Sequence, residues 1–171
     1  MDDQAFELLF REHYASLATF ALRYVRDRAS AEELVQDLFA DLWARRATWS
    51  PRPGSERAYL LAAVRNRALN LRKRQALERD WERDEAVPDV REMHPRPAQS
   101  DHLLETAELQ QQVNAALESL PERCRLVMHL RWREQLSYAE IAQVMGISIK
   151  GVENQLARGL ERLRERVAGS G

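Results

Sequence analysis

The sequence predicts an all-α protein: two small helical domains joined by a flexible linker. Three observations carry this. Apolar residues recur at spacings of three and four along most of the chain, the signature of helix faces packed on a core. Glycine and proline number only six each in 171 residues, and several gather at breaks between those runs. No stretch shows the period-two alternation of a strand. The boundaries that follow are residues 1–77 for an N-terminal bundle of three or four helices, 78–101 for the linker and 102–171 for a helix-turn-helix domain.

The first helix carries Phe6, Leu9, Phe10, Tyr14, Leu17, Ala21, Tyr24 and Val25 on one face. "RDRAS" interrupts it, and Ser30 with Glu33 reads as a capping box that opens a second helix. That helix buries Leu34, Val35, Leu38, Phe39, Leu42 and Trp43. "ATWSPRPGSER" breaks helix geometry, and Ser55 caps a third helix expected from about Glu56 to Gln75, with Leu60, Leu61, Val64, Ala68 and Leu71 inward. The linker, "ERDWERDEAVPDVREMHPRPAQSD", is charged, holds three prolines and loses the apolar period. Its first turns are compatible with a continuation of the third helix, and Trp81 is expected to pack back on a neighbouring domain.

After the linker, Leu104, Ala107, Leu109, Val113, Ala116, Leu117 and Leu120 form another apolar stripe. Pro121 suits the first turn of the next helix, which runs to about Arg133 and buries Leu126, Val127 and Leu130. Ser137 and Glu140 make a second capping box, starting a short helix with Ile141, Ala142 and Met145 inward. Gly146 ends that helix in a left-handed turn, Ile147 fills the corner, and Ser148 caps a last helix with Val152, Leu156, Leu160 and Leu163 on the core side.

Composition narrows the function. The formal net charge of -1 conceals segregation: residues 51–77 carry a net +6 and residues 78–108 a net -6. A polyanion meets the local field, so the basic zones count for more than the total. One cysteine, Cys124, excludes an internal disulfide, and no apolar run approaches a membrane span, so the expected location is cytoplasmic without membrane insertion. His13, His94, His102 and His129 do not cluster with Cys124 at ligand spacing, so no metal and no cofactor is expected. No phosphate-binding glycine loop, nucleophile elbow or carboxylate pair points to catalysis, and the expectation is that the chain is not an enzyme.

Two stretches point instead to nucleic acid. The start of the last helix offers solvent Lys150, Gly151, Glu153, Asn154, Gln155 and Arg158. Cations there suit phosphates, and amide or carboxylate side chains suit base edges in a major groove. The alternative at this point is a plain helical hairpin with a solvated polar face. The third helix places Arg65, Arg67, Arg72, Lys73 and Arg74 with Asn66 and Asn70, near Trp49 and Tyr59. Cations beside aromatic rings suit single-stranded DNA, whose bases leave the stack.

Taken in order, "AEELVQDLFADLW", "RAYLLAAVRNRALNLRKR" and "LPERCRLVMHLRWREQLSYAEIAQVMGISIKGVENQLARGLERLRE" resemble the extracytoplasmic-function group of bacterial sigma-70 factors, which keep regions two and four. The resemblance covers nearly the whole chain apart from the linker and the last residues. It implies that 1–77 is region two and 102–171 is region four. It implies that Gln36, Asp37, Phe39 and Trp43, with Leu38, Asp41 and Leu42 nearby, dock on the beta-prime clamp of core RNA polymerase. Asn66, Arg67, Asn70 and Lys73 would handle the -10 promoter element, with Arg65 and Arg74 on phosphates. Ser148, Lys150, Glu153, Asn154 and Arg158 would read the -35 element, and the helix around Arg123 to Arg133 would meet the beta-flap tip. An anti-sigma partner that clamps the two domains is also implied, and the linker permits it.

Three departures stand out. Gly151 replaces a Thr or Ser common in relatives, Gly159 weakens the recognition helix by roughly 1 kcal/mol against Ala, and the loop before the third helix is short and proline-rich. A free-standing helix-turn-helix regulator, with the first bundle dimerising or sensing, is the competing reading. A helical interaction protein without a DNA role is the third.

Overall fold

The structure is a computed structural model that describes residues 1–81 and 104–169, with side chains described for 1–79 and 107–169. Among the described residues all regular structure is helical, in seven helices. The chain divides into two compact units, Met1–Pro95 and Arg96–Gly171. The expected linker falls largely outside the described residues, as do His94, His102 and the side chain of Trp81.

In the first unit α1 spans Asp3–Ala21, α2 Arg28–Ala44 and α3 Glu56–Trp81, and each packs on the other two. Their shared core is made by Leu17, Phe20, Ala21, Val35, Leu38, Leu42, Leu60, Leu61, Val64 and Ala68, all buried. Asp2 caps α1, its side chain accepting from the Ala5 N–H at 2.7 Å. The α2 cap corrects the sequence reading. Asp27 is the cap, with its Oδ1 accepting from the Ser30 N–H at 2.6 Å, and Ser30 lies inside the first turn. The Asp27 carboxylate faces free amides and a positive helix end, which stabilises the earlier start.

Two more expectations shift in register. The Ser55 hydroxyl turns back to donate to the Arg52 carbonyl at 2.7 Å, stabilising the turn before α3. The helix itself runs past Gln75 to Trp81, as its unbroken helix-forming sequence allows.

In the second unit α4 spans Leu104–Glu118, α5 Glu122–Trp132, α6 Tyr138–Met145 and α7 Ile149–Gly169. Helix α7 packs on the other three, and α5 also meets α6. Pro121 stands one place earlier than expected, as the residue before α5, with φ -54° and ψ 148°. Cys124, Leu126, Val127, Met128 and Leu130 of α5 are buried against Val152 and Leu156 of α7 and Ile141 and Val144 of α6 in this core.

Gly159 of α7 is buried here for a reason the sequence did not show. A Cβ added to it would sit 2.6 Å from the Met128 sulfur. The residue that weakens α7 as an isolated helix is what lets α5 approach it.

Candidate polymerase and nucleic-acid interfaces

Helix α2 presents a ridge whose two edges face different neighbours. With Leu34, Val35, Leu38, Phe39 and Leu42 inward, the 3.6-residue period leaves Glu33, Asp37, Ala40 and Ala44 along the crest. On one edge, Gln36 Nε2 donates to Tyr14 Oη of α1 at 3.2 Å, and the Trp43 ring meets Phe6 at 5.0 Å between centroids. The Arg46 guanidinium lies 3.8 Å over the same indole. On the opposite edge, Asp41 pairs with Arg67 of α3, and Arg45 Nη2 donates to Tyr59 Oη of α3 at 3.0 Å.

The four residues expected to dock on polymerase therefore divide. Gln36 and Asp37 are exposed, and Trp43 keeps 38% of its surface in solvent. Phe39 retains 3% and stacks edge-on against Phe10 at 4.9 Å and Phe6 at 6.0 Å. Its ring shapes the ridge from beneath, and the surface belongs to its neighbours.

Helix α3 turns a narrow strip away from the core. Tyr59, Ala63, Asn66, Asn70 and Lys73 fall on it by helical spacing, the last three exposed and Tyr59 half-buried. Trp49 packs against Tyr59 at 5.4 Å with the rings tilted 44°, extending the strip with an aromatic shelf. The remaining cations lie on its flanks. Arg65 is half-buried, its Nε enclosed and lacking a hydrogen bond among the described residues. Arg67 is half-buried beside Asp41, whose carboxyl is held below the usual carboxylate range first by hydrogen bonding and then by the charge of Arg67. Arg74 lies two turns farther along that flank, in solvent.

In the second unit, Ser137 and Glu140 form the full capping box, with bonds of 3.1 Å and 3.0 Å. Gly146 ends α6 at φ 65°, a conformation that favours glycine because it lacks a Cβ. The Ile147 N–H returns to the Ala142 carbonyl at 3.1 Å, closing the turn. Ser148 Oγ then accepts from the Gly151 N–H at 3.0 Å, which fixes the start of α7 and leaves the hydroxyl proton for another partner. Ser148, Lys150, Glu153, Asn154 and Arg158 are all exposed. Gly151 and Gln155 are half-buried, and the Gln155 carbonyl accepts the Cys124 thiol at 3.2 Å. Burial pushes the Cys124 pKa up, with a smaller opposing pull from Arg162 and Arg158.

Sequence reasoning passed over Ile149, which heads α7 with 49% of its surface exposed. Its place one turn before Val152 reads as core by period alone, but the core ends at Val152. It also passed over Trp132 at the end of α5, 52% exposed, and Tyr138, whose ring lies 5.1 Å beneath the Arg131 guanidinium.

Comparison with known proteins places this geometry. The family described as Sigma-70 region 2 matches residues 9–78, and Sigma-70, region 4 matches residues 110–163. The ECF RNA polymerase sigma factor SigK of Mycolicibacterium vanbaalenii is 26% identical over 168 residues, covering 96% of this chain and 82% of that protein. SigX of Bacillus subtilis is 28% identical over 170 residues, covering 95% and 84%. The chain belongs to the extracytoplasmic-function group of sigma-70 factors.

The solved structure of RpoE from Bartonella quintana with the anti-sigma factor NepR is similar in fold. Its TM-score is 0.71 at 22% identity, covering 96% of this chain and 98% of that one. CnrH, solved with the cytosolic domain of CnrY, gives 0.61 at 24% identity, covering 99% and 92%. As a sigma factor the chain binds core RNA polymerase and directs initiation at promoters. The family is one of specificity factors, which are not enzymes. Among the described residues no helix is long and apolar enough to cross a membrane.

Proposed function

We propose that the surfaces of this sigma factor divide the work of initiation among α2, α3 and α7. The observation that carries this reading is the ridge of α2, which leaves Gln36, Asp37 and Trp43 in solvent while Phe39 is buried beneath. That ridge docks on the beta-prime clamp, with Trp43 as its apolar anchor; aromatic residues with a rim of polar ones are the usual anchors of an interface. The strip of α3 holds the opened -10 element, with Asn66 and Asn70 at base edges and Lys73 on the backbone. Arg65, Arg67 and Arg74 flank it.

The exposed start of α7 enters the major groove of the -35 element. Ser148, Lys150 and Arg158 anchor phosphates, Glu153 and Asn154 meet base edges, and Ile149 supplies apolar contact of the kind a thymine methyl accepts. Trp132 and Tyr138, beside the exposed Arg133, form the surface offered to the beta flap. The division of the chain at 1–77, 78–101 and 102–171 matches this use of its parts. The chain performs no catalysis of its own and works in the cytoplasm, where polymerase is. An anti-sigma factor is the further partner, as for RpoE of Bartonella quintana, solved with the anti-sigma factor NepR.

The test is assembly followed by transcription. Purified chain and core polymerase should co-elute in gel filtration and give defined transcript starts on genomic fragments. Trp43→Ala should weaken assembly by about 10-fold or more, the loss expected at an aromatic anchor, while Lys73→Ala assembles normally and opens promoters poorly. Tight, specific binding to promoter duplex without core would favour the free-standing regulator instead.

A further inference from the structure

The ion pair between Asp41 and Arg67 joins residues 26 positions apart on the edge of α2 that faces α3. Asp37, one turn earlier, stands on the crest of the same helix, so the two acids have different surroundings. The side chains of Asp41 and Arg67 keep 60% and 33% of their surface exposed. An ion pair this exposed contributes little to stability, because solvent screens it. Its consequence lies in the charge it presents. A guanidinium in contact with a carboxylate looks from outside like a neutral dipole. A phosphate that sought Arg67 would have to displace an acid already tethered beside it.

We propose that Asp41 withholds Arg67 from the DNA backbone and thereby sets the sequence-independent grip of α3. The acid is a positioning residue that acts through Arg67. With that cation neutralised, Lys73 and the base-directed amides of Asn66 and Asn70 decide binding along the strip. Arg45, one turn after Asp41 on the same edge, donates to Tyr59, so the same edge of α2 positions both a cation and an aromatic ring of α3. This inference rests on the reading of α3 as a DNA-binding strip, and the experiment separates the two.

Holoenzyme is assembled at saturating core polymerase and titrated with promoter DNA unpaired over the -10 stretch, across a series of salt concentrations. Each phosphate contact to a single strand steepens the log–log salt dependence by about 0.7. Asp41→Asn should steepen it by that amount and tighten binding about fivefold at 0.1 M salt, for cognate and scrambled -10 sequences alike. Asp41→Glu should return the wild-type slope, and Asp41→Asn made on top of Arg67→Ala should produce no tightening. Lys73→Ala reports on the strip itself and should flatten the slope by about 0.7.

If Lys73→Ala flattens the slope but Asp41→Asn leaves it unchanged, the proposal is wrong and the strip stands. If Asp41→Asn tightens binding equally without Arg67, the acid acts by simple repulsion of DNA, which also overturns the proposal. If neither Lys73→Ala nor Asp41→Asn moves the slope, the DNA reading of α3 fails and takes the inference with it.

Discussion

Gln135 holds φ at 55° in the turn between α5 and α6, a left-handed conformation that side chains with a Cβ adopt at a cost. The turn imposes it: the Leu136 N–H returns to the Leu130 carbonyl at 3.1 Å, and Arg131 Nη1 donates to the Leu136 carbonyl at 3.0 Å. Glycine would relieve the steric cost and lose some of the gain to its freer unfolded chain. Gln135→Gly should therefore stabilise the second unit by about 0.5–1 kcal/mol, measured as a higher midpoint in denaturant. An unchanged or lower midpoint would show that the glutamine makes a compensating interaction. Single-residue features were legible in the sequence where the interaction spans three or four positions, as in the capping box of Ser137 and Glu140. The Asp41–Arg67 pair was not legible, because only the packing of α2 on α3 brings those side chains together. The exposure of Ile149 was hidden for a related reason, since period reports direction around a helix and not where the neighbouring core stops.

Among the elements, α2 and α7 show where local rules and packing disagree. Either Asp27 or Ser30 satisfies the composition of a helix start, and nothing in the residue pattern alone prefers the earlier one. Hydrogen bonding to Ser30 lowers the Asp27 pKa below its ordinary 3.8. The cap thus contributes stability that is complete above the ordinary carboxylate value and is lost as pH falls through the lowered one. Asp27→Ala should cost about 1 kcal/mol near neutral pH, and the difference from wild type should shrink in acid. Asp27→Asn keeps a capping oxygen and should remove that acid-side dependence; thermal melts across pH check both. In α7, Gly159→Ala pits better helix propensity against a clash with buried Met128. Overpacking of this kind costs about 1–3 kcal/mol, more than the ~1 kcal/mol that Ala gains in a helix. A net loss of about 1 kcal/mol is expected. With Met128→Val in place the sulfur is gone, and the same Gly159→Ala change should become stabilising. A loss of equal size in both backgrounds would rule out Met128 as the cause.

For the molecule as a whole, charge is segregated by task, and that segregation was legible in the sequence once the net -1 was resolved into zones. Of the basic residues of 51–77, Arg65, Arg67, Lys73 and Arg74 lie on or beside the α3 strip, and Lys150 and Arg158 lie in the second unit, exposed on the first half of α7. Each set offers few phosphate contacts, so neither is expected to hold DNA firmly alone. The two sets should also fail differently. Lys150→Ala with Arg158→Ala removes two duplex contacts at about 0.9 each, so the salt slope of holoenzyme binding to intact promoter duplex should fall by ~1.8. Transcription from that duplex should fall with it. On a template already unpaired at -10 and truncated before the -35 position, the same double substitution should have little effect, because α7 has no duplex left to contact. Lys73→Ala should differ, impairing the unpaired template as much as the duplex. Equal losses on both templates for both variants would mean that the two basic surfaces act as one, and would overturn the assignment of α3 to opened DNA and α7 to the duplex.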